Sequence, residues 1–300
     1  MIEERLTSIM AQSGKSLNPL FLRTRLKEAL QDEVLAFVYN HPRYRSYLFT
    51  GGTCLRKLYG LPRLSEDLDF DVPGLPDTAS FVADLQEHVS KDLQYRHMTT
   101  RVSGNGISVT LVFPVLRQLG LIHSSADSPN LLLRCDIAAE PTDIYGTQVS
   151  PVSTAQAMFF VRAYDISTLF ASKLAAFLGR DYTRESSQTQ PFKGRDAFDL
   201  MWFLQKAQQQ EWKLQPLWPR VFALLGADSA ASVVRRAAYK AASLDAQQVI
   251  ADLRPFIETE QALDAFGTNM HEVLPAQLKA LEAALFTRQG GQSCQDNARA

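Results

Sequence analysis

Phe49-Thr50-Gly51-Gly52-Thr53 carries an apolar run into two glycines, and Ser65-Glu66-Asp67-Leu68-Asp69-Phe70-Asp71 follows within one short helix length. Side chains of an extended strand alternate between faces. The second stretch therefore places Asp67, Asp69 and Asp71 on one face and turns Leu68 and Phe70 to a core. Between the two lies Cys54-Leu55-Arg56-Lys57-Leu58-Tyr59, which reads as a helix closed by Gly60. The reading is strand, glycine turn, helix, then an acidic strand bounded by Pro73.

Carboxylates side by side on a rigid face repel each other unless a cation lies between them. Mg²⁺ suits that face, because it takes hard oxygen ligands and commonly only one or two protein carboxylates, leaving positions for water and phosphate. A solvated acidic strand satisfies DLDFD equally well, so the motif alone leaves both readings open. The glycines add weight to the first: at 51 and 52 they let backbone approach a phosphate, a following helix N-terminus supplies N–H donors, and the Thr53 hydroxyl adds another. Asp136, flanked by Cys135 and Ile137 in the apolar stretch 131–138, is a candidate third metal ligand, because an unpaired charge there is costly. A pairing with the adjacent Arg134 accounts for it as well. Downstream, Lys173 sits at the border of an apolar helix face, able to snorkel to solvent or to meet a triphosphate. Asp196 and Asp199 lie three apart at the start of another helix, where acids also complement the helix dipole.

Apolar residues at helical spacing (Leu22, Leu26, Leu30, Val34 and Val38) predict a helix ending at Pro42, and Thr78 is a plausible cap for a helix carrying Phe81, Leu85 and Val89. Strands are expected on both sides of Ser103–Gly106 and at 131–138. Strand signals fade beyond about Ala155, and helices are expected at 167–178 and 196–208. The fold class is α+β: a mixed-sheet part over 1–150, a mostly helical part over 151–288, and a polar, disordered tail over 289–300. The chain has 300 residues, of which 46% are hydrophobic and 21% charged, as in a globular protein with a substantial core. A net charge of −1 gives no whole-chain case for nucleic acid, so any such surface is local. Three scattered cysteines exclude a CxxC zinc site and a disulfide framework and fit a reducing cytoplasm. The opening MIEERLTSIM lacks the character of a signal peptide, and no run is long enough to span a membrane.

Gly51-Gly52-Thr53-Cys54-Leu55-Arg56-Lys57-Leu58-Tyr59, then Arg63-Leu64-Ser65-Glu66-Asp67-Leu68-Asp69-Phe70, resembles the AbiEii/AbiGii-type nucleotidyltransferase toxins, a branch of the polymerase-beta-like superfamily. Lys173 to Arg180 and Arg195-Asp196-Ala197-Phe198-Asp199-Leu200 resemble that family's later motifs. The resemblance implies a Mg²⁺-dependent transfer of a nucleotide from an NTP, in some members to tRNA 3′ ends, by the toxin of a type IV system with a cognate antitoxin. It also implies Asp67 and Asp69 as metal ligands, Lys173 on the triphosphate and Asp196 assisting catalysis. Ser65 holds the family's Ser/Thr position beside the DxD, a site of regulatory phosphorylation in some members, and joins Gly51, Gly52, Thr53 and Lys173 as a nucleotide-binding candidate. Asp136 as metal ligand rests on physical grounds alone. For an RNA acceptor the expected surfaces are Arg180, Arg184, Lys193 and Arg195 around the polar loop 185–190, or Arg117 with His123. A phosphotransferase on the same scaffold and a non-catalytic nucleotide-binding module are the alternatives.

Overall fold

The computed structural model describes residues 2–13, 18–104, 106–122, 124–154, 156–181 and 190–297. They form two compact units, the first from Met1–Pro141, Thr147–Tyr164 and Pro255–Glu258, the second from Thr142–Gly146, Asp165–Arg254 and Thr259–Ala300.

The first unit contains α1 (Ile2–Gln12), α2 (Pro19–Asn40), β1 (Leu48–Thr50), α3 (Gly51–Tyr59), β2 (Asp67–Val72), α4 (Thr78–Lys91), β3 (Thr99–Ser103), β4 (Ser108–Phe113), β5 (Leu131–Ala139), β6 (Thr147–Ser153) and β7 (Met158–Tyr164). Its seven strands lie in the order β3-β4-β5-β2-β1-β7-β6. The sheet is mixed, as expected: β2 runs parallel to β5 and β1 parallel to β7, and the other neighbours are antiparallel. Leu68 and Phe70 are fully buried and so are Leu133, Cys135 and Ile137, which puts the core on the face opposite the acids.

Helix α2 starts where Asn18 accepts a hydrogen bond from the Leu20 N–H at 2.9 Å and Pro19 occupies the first turn. Its predicted apolar stripe, Leu22 to Val38, is buried throughout. Helix α4 is capped one residue earlier than expected, by Asp77, whose carboxylate accepts from the Ser80 N–H at 3.1 Å. The Thr78 hydroxyl donates instead to the carbonyl of Gly106. Strand β7 lies beyond the point where strand signals fade. Its burial alternates, but two of its outward positions, Met158 and Phe160, are themselves apolar and 63% and 58% exposed. The alternation is therefore invisible in residue type.

The second unit contains α5 (Ile166–Gly179), β8 (Arg180–Asp181), β9 (Gln190–Pro191), α6 (Gly194–Gln209), α7 (Trp218–Leu225), α8 (Ala230–Ala242), α9 (Ala246–Leu253) and α10 (Glu260–Asn297). Asp165 caps α5 by accepting from the Thr168 N–H at 2.8 Å. Helices α5 and α6 meet through Phe170 and Phe203, stacked with centroids 4.6 Å apart. Helix α10 runs to Asn297 across the greater part of the expected tail, and residues 298–300 lie outside the described residues. Asn105, His123 and residues 182–189, among them Arg184 and most of the expected polar loop, also lie outside them. Among the described residues no helix is long and apolar enough to cross a membrane.

Helix α6 approaches α9 closely at Gly194, where an added Cβ would stand 2.7 Å from both Cα and O of Val249. Backbone atoms cannot yield as a side chain can. Gly194→Ala is expected to lower stability by about 1–3 kcal/mol through overpacking, read as a fall in the urea midpoint with an unchanged slope.

Candidate active site

In the first unit, β1 delivers the chain to Gly51, whose φ of +77° only glycine adopts at little cost. An added Cβ at Gly51 would stand 1.9 Å from Asp69 Oδ2, so the absent side chain is the space in which the Asp69 carboxylate sits. Gly52 is required for a second reason: a Cβ there would stand 2.9 Å from both the Arg63 guanidinium and Ser65 Oγ. The glycine pair therefore accommodates side chains from the following segment. The buried Thr53 hydroxyl donates to the carbonyl of Asp67, pinning the start of α3 to the acidic strand. That donor is committed within the protein, which leaves the Thr53 backbone N–H, in the first turn of α3, as its means of meeting a phosphate.

Across the sheet, Asp69 is the register partner of Asp136, and Asp67 that of Arg134. Neighbouring strands lie about 4.8 Å apart, so Asp67, Asp69, Arg134 and Asp136 share one patch of the same face. Arg134 Nη2 is 2.7 Å from Asp136 Oδ2 and 3.7 Å from Asp67 Oδ2. The Ser108 hydroxyl donates to Asp136 Oδ1. The pairing with Arg134 that the sequence offered for Asp136 is thus present. Asp71, third on the acidic face, accepts a 2.7 Å hydrogen bond from the Tyr164 hydroxyl. Burial first, then the Asp71 charge, pushes the Tyr164 phenol well above its ordinary value. Beneath the patch, burial and the charges of Asp136, Asp67 and Asp69 push the Cys135 thiol up, so it stays neutral and inert.

Among the described residues no set of three or more His, Cys, Asp or Glu side chains converges to hold an ion unaided. The patch nonetheless fits a hard divalent cation, which needs only one or two carboxylates and completes its shell with water and phosphate oxygens. Asp67 and Asp69 are the two carboxylates that one strand would present to such an ion.

Ser65 is 6% exposed, and its carbonyl accepts from Gln31 Nε2 at 2.8 Å. Arg63, 2% exposed, donates to the Leu64 carbonyl at 2.8 Å and lies over the Phe256 ring. Its place behind Gly52 was not singled out from sequence. A charged residue two before the serine was the only signal available.

The second unit holds Lys173 and Asp196. Lys173 Nζ pairs with Asp199 Oδ2 at 2.7 Å, and the Asp199 side chain is fully buried. Asp196, 1% exposed, takes Arg180 at 2.6 Å. Asp199, not Asp196, therefore orients the lysine, a choice that two acids three apart on one helix do not reveal. Arg180 is likewise committed to a buried partner, which removes its side chain from the expected basic surface. Arg117 is held to the Ser124 carbonyl at 3.0 Å.

A family model described as the nucleotidyl transferase AbiEii toxin of a type IV toxin–antitoxin system matches residues 37–285. Among solved structures the chain is similar to MenT4, a nucleotidyltransferase toxin from Mycobacterium tuberculosis H37Rv, at 16% identity and a TM-score of 0.51, with 94% of this chain and 93% of that chain covered. It is also similar to JHP933 from Helicobacter pylori, at 14% identity and a TM-score of 0.51, covering 90% and 97%. At these identities the likeness is one of fold. No curated protein matches the chain.

Two outcomes test this geometry. Gly60 shares the positive φ of Gly51, at +75°, but has open space around it. Gly60→Ala should therefore cost only the left-handed strain, about 1–2 kcal/mol, and Gly51→Ala distinctly more, as measured by urea unfolding. In the second unit Asp199→Ala should cost about 3–5 kcal/mol by stranding the lysine, and Lys173→Met combined with Asp199→Leu should recover most of that loss.

Proposed function

The chain belongs to the AbiEii family of nucleotidyltransferase toxins, and from that premise we propose that it transfers a nucleoside monophosphate from an NTP to the 3′ end of an RNA, most simply a tRNA, in the cytoplasm. The observation that carries this reading is the placement of Asp67 and Asp69 on one strand face, with Asp136 in register beside Asp69 and the glycine turn against it. In this reading Asp67 and Asp69 would hold Mg²⁺, and Asp136, the register partner of Asp69, would share in holding it. The bound ion would supply charge neutralisation at the triphosphate and a polarised α-phosphate.

The acceptor hydroxyl oxygen forms a bond to the α-phosphorus, and the bond from that phosphorus to the bridging β-oxygen breaks. Pyrophosphate leaves with the electron pair, and the hydroxyl proton passes to the Asp136 carboxylate. Gly51, Gly52 and Thr53 offer backbone N–H groups to the phosphates at the start of α3. Ser65, behind Gly52, fixes the position of that turn. Lys173 offsets charge that grows on the departing pyrophosphate, with its ammonium oriented by Asp199. Asp196 supports this assembly through Arg180. A cognate antitoxin is expected from the type IV family.

Incubation with each α-labelled NTP, Mg²⁺ and total RNA is expected to place label on RNA and release pyrophosphate. Release of nucleoside diphosphate would make the protein a phosphotransferase, and metal-independent nucleotide binding without turnover would make it a binding module. Asp67→Ala and Asp69→Ala should each lower transfer by about a hundred- to a thousandfold at saturating Mg²⁺ while far-UV circular dichroism is unchanged, the scale expected when charge stabilisation in the transition state is removed. Near-wild-type turnover by either variant would move the site elsewhere.

A further inference from the structure

The sequence motifs leave the last third of the chain without a role, and within it α8 presents an unusual face. Tyr239 is 82% exposed, the most exposed aromatic ring among the described residues. Arg235 and Arg236 are exposed beside it, and Arg235 and Tyr239 are four apart, hence neighbours on one side of the helix. Arg235, Arg236, Tyr239, Lys240 and Leu178 line a shallow cleft. Lys240 forms its floor rather than its rim, because its ammonium donates to the Arg180 carbonyl and lies over the rings of Phe177 and Phe192, 5.8 and 5.3 Å from their centroids. Arg235 has a partner in Glu282 at 3.6 Å, with the arginine side chain 65% exposed and open to a further contact.

A solvent-exposed tyrosine exposes apolar ring area to water without return, and the exposed Arg235 and Arg236 line the same cleft with positive charge. A ligand with a flat aromatic face and negative charges spaced along it matches both features, which is the chemistry of an unpaired nucleotide in a strand. We propose that this face of α8 docks a single-stranded segment of the acceptor RNA, with a base stacked on Tyr239 and flanking phosphates held by Arg235 and Arg236. The proposal rests on the RNA-acceptor reading above and supplies the surface that Arg180, bound to Asp196, does not. Stacking on an aromatic ring tolerates any base, so this surface contributes affinity and orientation rather than sequence choice.

The test is fluorescence anisotropy of the full chain with a labelled eight-nucleotide RNA of mixed sequence, titrated across a range of KCl concentrations. Tyr239→Ala is expected to weaken binding about tenfold and Tyr239→Phe to stay within about twofold, because only the ring is required. The double variant Arg235→Glu with Arg236→Glu should flatten the slope of log affinity against log salt by about 1.4, roughly 0.7 for each phosphate contact to a single strand. Tyr239 is solvent-facing, so its variants should keep the wild-type thermal midpoint, and the double variant, which gives up the exposed Arg235–Glu282 pair, should fall by no more than about 5 °C. Wild-type affinity and slope in both Tyr239→Ala and the double variant would overturn the proposal, as would equal binding of duplex RNA with no effect of Tyr239→Ala. If these variants lose binding as expected but the wild type never labels RNA with nucleotide, the surface stands and the acceptor reading falls. If RNA is labelled and the variants bind it normally, the acceptor reading stands and the surface falls.

Discussion

Mutual repulsion among carboxylates is the constraint around which the sheet unit is arranged. Two unit charges about 5 Å apart interact by about 3 kcal/mol at an effective dielectric constant of 20, against a total stability of only about 5–15 kcal/mol for a domain. Asp67, Asp69, Asp71 and Asp136 stand on adjacent strands of one face, so each needs its own accommodation. Asp136 has Arg134 and the Ser108 hydroxyl, Asp71 has the Tyr164 phenol, and Asp69 has the space left by the missing Cβ of Gly51. Arg134 also lies within 3.7 Å of Asp67. A guanidinium, two hydroxyls and an absent side chain thus all contribute to holding a site built from acids.

The helical unit meets a related constraint differently. Its two acids at the start of α6 are buried to 1% and below, where a lone charge is not tolerated, and each is paired with a cation, Asp196 with Arg180 and Asp199 with Lys173. Pairing in a dry setting contributes little net stability, because desolvation offsets most of the attraction. What it does contribute is position. A lysine on four rotatable bonds is a poor electrostatic tool unless something fixes its ammonium, and Asp199 fixes it. The sheet unit thus tunes charge by neighbours across strands, and the helical unit by ion pairs that reach α6 from α5 (Lys173) and from β8 (Arg180).

Much of this was legible from residue type. The alternation through Asp67 to Val72 placed the acids and the core on opposite faces, and glycine punctuation located the start and end of α3. What escaped has identifiable physical causes. Strand β7 was hidden because Met158 and Phe160 face outward, so residue type no longer reports orientation. The pairing of Asp199 with Lys173 could not be chosen over Asp196, since both acids occupy one side of α6 and spacing carries no information on which reaches α5. The commitment of Thr53 to the Asp67 carbonyl was unreadable for a similar reason: a hydroxyl beside a glycine turn suits a ligand and a neighbouring strand equally well. Arg63 behind Gly52 depends on a contact between segments that periodicity does not encode.

Net charge is the point on which whole-chain reading is weakest. A total of −1 suggests no affinity for a polyanion, yet that sum includes charges a ligand cannot sense. At physiological ionic strength exposed charges are screened beyond about 8 Å. A phosphate near α8 therefore responds to Arg235 and Arg236, and to Glu282 as their nearest opponent, not to carboxylates farther away. Several of the chain's basic residues are also cancelled locally: Arg180, Lys173 and Arg134 each face an acid at 2.7 Å or less. What governs association with RNA is the charge left over at the surface after such pairs are removed. At α8 that leaves Arg236 and a 65%-exposed Arg235 with Glu282 3.6 Å away, whereas Arg180, of the basic run that sequence spacing favours, is already held by a buried aspartate.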